Sequence, residues 1–158
     1  NPRTGGYKLT NPEMRDTLLD LRNDPTWSAL MIGEYARSNE SFLRQRLGRN
    51  LSQGDVYIGH WLGPDEATAF LRAYDHASRS GSGRGPVARE VVSDATYQAN
   101  MPVFWTPDAR FHTVDAGNGH KRFVHDGGGR LRSINEVYAA QTAQFGRDPF
   151  VAQDRATP

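Results

Sequence analysis

The Gly63-Pro64 corner constrains the fold of this chain more than any other feature, because it predicts two helices joined by a sharp turn. Tyr57, His60 and Trp61 precede the corner at spacings of three and four residues, so they share one face of the first helix. Gly63 suits the end of that helix, and Pro64 suits the first position of the next, where an N–H would have no partner. The corner fits either one wall of a sugar or peptide cleft or a piece of ordinary core.

Apolar residues recur at helical spacing through the first half of the chain. The periodicity predicts helices over residues 12–22, 25–47, 53–62 and 64–77. Ser52 and Asp55 have the spacing of a capping box before the third helix, with Asp in place of the usual Glu or Gln. The first half is therefore expected to be helical.

The helix predicted over residues 25–47 is the longest. At ~100° per residue, one face combines apolar and aromatic side chains with one carboxylate: Trp27, Leu30, Met31, Glu34, Tyr35, Ser38 and Phe42. A helix so apolar is expected to lie at the centre of the fold. Gly33 costs roughly 1 kcal/mol relative to Ala inside a helix, so we expect another element to approach it closely.

Gly and Ser residues mark an internal boundary. Residues 79–86 have the composition of a flexible linker. We therefore expect a helical domain over residues 1–78, a small α+β appendage over residues 87–145, and a loose tail over residues 146–158.

The appendage is predicted to begin with a short helix near Val87–Ala95 and to contain one hairpin. Residues 110–114 and 121–125 are predicted as strands around a turn-rich segment. Residues 101–105 are predicted to be extended, and Ser133 with Glu136 forms a capping box before a final helix. The fold class expected is mainly α, with a small α+β C-terminal extension that contains a short hairpin.

Three histidines fall in the predicted hairpin, with two aspartates nearby. His112 and His125 are expected to be cross-strand neighbours, and converging ligands of this kind can hold a metal ion. The spacing matches no standard metal motif, so a solvated hairpin is the favoured interpretation and no metal is expected.

Composition excludes several classes of function. The chain of 158 residues has no cysteine, which excludes disulfides and thiolate metal sites. Its 19 basic residues are scattered among 18 acidic ones, so no nucleic-acid partner is expected. No run of ~18 apolar residues is present, so no membrane span is expected. Residues 127–130 lack the Lys and Ser/Thr of a P-loop, and no cofactor is expected.

A family resemblance follows from the order of several short segments: Asn-Asp-Pro at residues 23–25, Gly-Glu-Tyr at 33–35, and Val-Tyr-Ile-Gly-His-Trp-Leu-Gly-Pro at 56–64. Together they resemble the second half of the lysozyme-like soluble lytic transglycosylase domain, with the corner as a lining of the glycan cleft. Arg-Ser-Ile-Asn-Glu-Val-Tyr at residues 132–138 more weakly resembles a C-terminal helix of the same family.

The resemblance implies a lysozyme-like fold in residues 1–78 and a role in cleaving peptidoglycan glycan strands. The activity implied is that of a muramidase or lytic transglycosylase, or of the cleft-forming half of such an enzyme, located in the periplasm or secreted. The alternative is a non-catalytic module that binds the cell wall or a partner protein in a secretion or phage-tail system.

This chain departs from the family at the catalytic glutamate, which the family carries in a Glu-Ser-Gly context upstream of a Gly-Leu-x-Gln segment. The one Glu-Ser here is Glu40-Ser41, which matches a non-catalytic position. His60 and Trp61 replace the Tyr and Asn of the family's corner. Because the chain starts at Asn1 without Met, we expect a processed chain or a fragment, with an upstream segment or a partner chain completing the site.

Within the chain, Glu34 is the candidate catalytic acid, because apolar neighbours on its helix face would keep a carboxyl protonated. The alternative is that Glu34 is paired with an arginine or only borders the cleft. Tyr35, Tyr57, His60 and Trp61 are the candidate substrate-binding residues. The alternative is that one or two of the corner rings pack in the hydrophobic core, and Trp61 is the first candidate for this.

Overall fold

The structure, a computed structural model, describes residues 11–80 and 85–145. The chain divides into two compact units, residues 1–38 and 39–158. The helices are α1 (Arg15–Asp20), α2 (Pro25–Leu47), α3 (Gln53–Leu62), α4 (Pro64–Arg79), α5 (Asp94–Ala99) and α6 (Ile134–Thr142). The strands are β1 (Arg110–Gly117) and β2 (His120–Gly127). Short 3-10 turns cover Pro12–Met14, Leu21–Asn23, Ala88–Val91, Met101–Phe104 and Ala143–Phe145.

The fold is mainly helical with one small antiparallel hairpin, which confirms the expected class. Helix α2 spans the predicted residues 25–47, and α3 spans the predicted residues 53–62. The predicted helix 12–22 is interrupted, since a 3-10 turn lies on each side of α1. No helix among the described residues is long and apolar enough to cross a membrane.

The first unit contains α1 and the N-terminal part of α2. Asp24 Oδ1 accepts hydrogen bonds from the N–H groups of Thr26 and Trp27 at 2.8 and 3.1 Å, so it caps the start of α2. The apolar face of this part of α2 is not central, because Leu30 and Met31 are 56 and 58% exposed. The expected close neighbour of Gly33 is not found among the described residues, since no atom of another element there lies within 4 Å of the position a Cβ would occupy.

The second unit holds a hydrophobic core built from α2, α3, α4, α6 and the 3-10 turn before the hairpin. Its fully buried large side chains are Phe70, Phe104, Leu43, Ile58, Leu71, Ile134 and Val137. Close packing of α2 on α3 depends on Gly59, because a Cβ there would lie 2.6 Å from Leu43 Cδ1. Residues on both sides of the predicted linker 79–86 share this core, and residues 81–84 of that linker lie outside the described residues.

The hairpin confirms the two predicted strands and extends each of them. β1 and β2 pair antiparallel through Thr113↔Phe123 and Val114↔Arg122. Asn118 has a φ of 54°, and the adjacent Gly117 and Gly119 are also left-handed, so this turn uses residues that tolerate positive φ.

Two predictions around the hairpin need correction. Residues 101–105 are not extended, because Met101–Phe104 forms a 3-10 turn with Pro102 in its first turn and the Val103 N–H bonded to the Asn100 carbonyl at 2.9 Å. The short helix expected near Val87–Ala95 is a 3-10 turn, Ala88–Val91, followed by α5. The predicted tail 146–158 lies outside the described residues.

Candidate functional site

Helix α3 presents the candidate binding residues, and a capping box fixes where this helix begins. The Asp55 N–H donates to Ser52 Oγ at 3.1 Å, and the Ser52 N–H donates to Asp55 Oδ2 at 2.8 Å. From this start, Val56, Tyr57 and His60 follow on one side of α3, at spacings of one and three residues. The local sequence therefore sets the side of α3 that carries these residues.

An open pocket of about 460 Å³ lies along that side of α3, within the second unit. Its size falls in the range of small-ligand sites, roughly 300–1,000 Å³. The lining combines rings, aliphatic side chains and a few polar groups: Glu40, Leu51, Ser52, Gln53, Val56, Tyr57, His60 and Phe145.

Two rings form the aromatic part of the pocket. The centroids of Tyr57 and Phe145 are 5.5 Å apart, and the ring planes are tilted by 54°. Phe145 belongs to the 3-10 turn that continues α6, so the C-terminal helix supplies part of the wall. His60 is exposed at the rim. The pair of tilted rings offers faces on which a flat or aliphatic ligand can pack.

Glu40 is the one carboxylate among the described residues that line the pocket. Its Oε1 atom lies 2.7 Å from Arg44 Nη2, one helical turn further along α2. The Glu40 side chain is 34% exposed and the Arg44 side chain is 56% exposed. This pair lies at the solvent edge, where ion pairs stabilise a fold by ~1 kcal/mol or less.

A buried polar network supports the pocket from behind α3. Asp55, whose side chain is 3% exposed, accepts from Arg49 Nη1 at 2.7 Å and from the Tyr138 hydroxyl at 3.1 Å. Arg49 also binds both carboxylate oxygens of Asp75 on α4. Ser52 Oγ lies 3.1 Å from the same Tyr138 hydroxyl. The network thereby ties α3, α4 and α6 together next to the pocket.

The charges in this network follow from its surroundings. Burial works against the charge of Arg49, but hydrogen bonds to Asp55 and Asp75 outweigh burial and raise its pKa. Burial raises the pKa of the Tyr138 hydroxyl, and the Asp55 carboxylate acts in the same direction. Arg49 therefore stays cationic and Tyr138 stays a neutral donor.

The structure brings Tyr57 and His60 together in the pocket and leaves the other candidates elsewhere. Trp61 packs against the core, with its centroid 5.9 Å from that of Phe104 and its Nε1–H donating to Asn100 Oδ1 at 3.2 Å. It does not line the pocket. Tyr35 and Glu34 belong to the first unit.

Glu34 lacks the apolar surroundings expected of it. Its side chain is 68% exposed, and its Oε2 atom accepts from Arg37 Nη2 at 2.7 Å. This geometry matches the alternative interpretation, in which Glu34 is paired with an arginine. The catalytic role of Glu34 remains a prediction, and the apolar surroundings on which it was based are not found.

Sequence reasoning missed Gln53 and Phe145, and it set aside Glu40. Phe145 carries no signal in the sequence, because nothing in a local pattern indicates that α6 reaches α3. The Glu40-Ser41 pair was the available signal for Glu40, and it was assigned to a non-catalytic position.

The hairpin histidines do not converge. The cross-strand partner of His112 is Val124 and that of His125 is Phe111, so the expected pairing of the two histidines is wrong. His112 Nδ1 instead lies 2.6 Å from Asp126 Oδ1, while the His125 ring stacks on Trp105 with centroids 3.8 Å apart. Among the described residues, no group of three or more His, Asp or Glu side chains is arranged to hold a metal ion.

Comparison with known proteins indicates no family for this chain. The chain matches no protein-family model, and no solved structure matches it significantly.

Proposed function

We propose that the second unit binds peptidoglycan glycan strands in the α3 pocket, as the cleft-forming part of a peptidoglycan-cleaving enzyme. The observation that supports this proposal is the lining itself, in which the Tyr57 and Phe145 rings lie beside the polar groups of Ser52, Gln53 and His60. Sugars have both apolar C–H faces and hydroxyl edges, so they need rings and hydrogen-bonding groups side by side.

The proposal assigns binding, rather than proton donation, to the described residues. Cleavage of a glycosidic bond needs a carboxyl group that can donate a proton to the leaving oxygen. The candidate acid, Glu34, is 68% exposed and forms an ion pair with Arg37. The proposal therefore assigns proton donation to a carboxyl group of an upstream segment or of a partner chain.

Binding to purified sacculi tests the proposal directly. We expect the chain to sediment with sacculi, and Tyr57→Ala to weaken binding by about two- to tenfold, because loss of a stacking ring costs that much. His60→Ala is expected to weaken binding as well. His76→Ala is the matched control, because His76 is an exposed histidine on α4 that does not line the pocket. Absence of binding, or equal effects of all three variants, would overturn the proposal.

Mass analysis of soluble products distinguishes the activities. Anhydro-muropeptides indicate a lytic transglycosylase, and new reducing ends indicate a muramidase. Binding without any release supports the second candidate, a non-catalytic cell-wall-binding module. The specific observation that favours this second candidate is that the Glu34 side chain is 68% exposed and lacks the apolar surroundings that would keep a carboxyl protonated.

A further inference from the structure

We propose that the α3 pocket takes an aliphatic amine, with Glu40 as the group that binds the ammonium. The ligand chemistry is that of a lysine-type side chain, an alkyl chain that ends in a cation. The inference rests on the proposed function in one respect, because it places the amine in the same pocket. It names a second part of the same ligand.

The lining matches an alkyl-ammonium group in two ways. Leu51 and Val56 give it an aliphatic side, where methylene groups can leave water. Tyr57 and Phe145 place two tilted rings beside it, and an ammonium is attracted to the face of such rings.

Glu40 is paired with Arg44 at the solvent edge of the pocket, where Arg44 Nη2 lies 2.7 Å from Glu40 Oε1. The Arg44 side chain is more than half exposed, so the existing pair is weak and a ligand cation can share or replace it. Among the described residues that line the pocket, none is a lysine or an arginine, so Arg44 beside Glu40 is the cation that a ligand would have to displace.

Titration of the full chain by NMR with three small ligands tests the inference. Nα-acetyl-lysine methylamide carries the ammonium, Nα-acetyl-norleucine methylamide lacks it, and the Nε-acetylated lysine compound keeps the length without the charge. We expect the charged compound to bind about three- to tenfold more tightly than either neutral one, because a cation–π contact and an exposed ion pair together contribute that much. Equal affinities of the unsubstituted protein for the three compounds would overturn the inference.

Variants locate the effect at Glu40. Glu40→Gln should remove the preference for the charged compound, and Arg44→Gln should increase it by freeing Oε1. Glu90→Gln is the matched control, because Glu90 is an exposed glutamate of the second unit that does not line the pocket. A preference that survives Glu40→Gln, in a variant with an unchanged circular dichroism spectrum, would place the cation elsewhere and refute the assignment.

Titration with an N-acetylglucosamine oligomer separates this inference from the proposed function. Glycan binding without an amine preference agrees with the proposed function and overturns the amine site. An amine preference at Glu40, with no binding of the oligomer or of sacculi, supports the amine site and overturns the proposed function.

Discussion

At the residue scale, the hydroxyl of Tyr138 connects the last helix to the polar network behind the pocket. It donates to the buried Asp55 carboxylate and lies beside Ser52, which lines the pocket. The Tyr138 ring also stacks on Tyr74, with centroids 3.9 Å apart. One side chain thus joins α6 to the start of α3 through polar contacts and to α4 through ring packing.

Tyr138→Phe is expected to lower the free energy of unfolding by about 1–2 kcal/mol, because Asp55 loses one donor inside the fold while the ring stack remains. Urea unfolding of the variant measures this loss. Tyr57→Phe serves as the control, since the Tyr57 hydroxyl makes no hydrogen bond within the described residues. Equal effects for the two variants would contradict the role of the Tyr138 hydroxyl.

Residues of the site differed in how well they could be predicted. Tyr57 and His60 lie on one helix face by spacing alone, and the pocket lies on that face. Trp61 follows directly after His60, yet it packs on Phe104, because α3 meets the core on that side. Helical spacing groups residues on a face, but it does not say what the face meets.

At the element scale, signals that act over a few residues predicted the helix boundaries well. Both predicted capping boxes are formed, Ser52 with Asp55 and Ser133 with Glu136. The Gly63-Pro64 corner separates α3 from α4 as its residues require, with Gly63 at a φ of 76°. The glycines inside helices were harder to interpret, because their roles depend on the neighbouring element.

Two helix-interior glycines are expected to respond to alanine with opposite signs. Gly33→Ala should stabilise its part of α2 by up to ~1 kcal/mol, because alanine favours helix and the site is open. Gly59→Ala should destabilise the second unit by about 1 kcal/mol, because overpacking against the buried Leu43 outweighs the same helix gain.

Hydrogen exchange of the α2 amides near Gly33 and urea unfolding measured on the second unit give the two values. A stabilising Gly59→Ala would mean that Leu43 moves aside without cost, and the close packing of α2 on α3 would then be unimportant.

At the scale of the whole molecule, the core lies in the second unit, where α2 ends, rather than along the whole of α2. Leu43 is fully buried, whereas Leu30 on the same helix is 56% exposed. Both are leucines of the same predicted helix, residues 25–47. Only the packing partners within each unit distinguish them.

The same substitution at these two positions tests the placement of the core. Leu43→Ala is expected to lower the free energy of unfolding by about 2–5 kcal/mol through lost burial and a cavity. Leu30→Ala is expected to change it by less than about 0.5 kcal/mol, as is usual for exposed positions. Thermal and urea unfolding of both variants provide the comparison. A large loss from Leu30→Ala would show that the face around Leu30 is covered in solution.

The sequence by itself determined α2, α3, α4 and α6, the hairpin, the capping boxes and the face that Tyr57 and His60 share. These features depend on spacing, caps and turn residues, which act within a few positions of the chain. The tertiary structure alone decided that Phe145 and Glu40 meet α3 to form a pocket, that Tyr138 holds Asp55, and that Glu34 is exposed. Those outcomes depend on contacts between residues distant in the chain, and local periodicity carries no information about which faces meet.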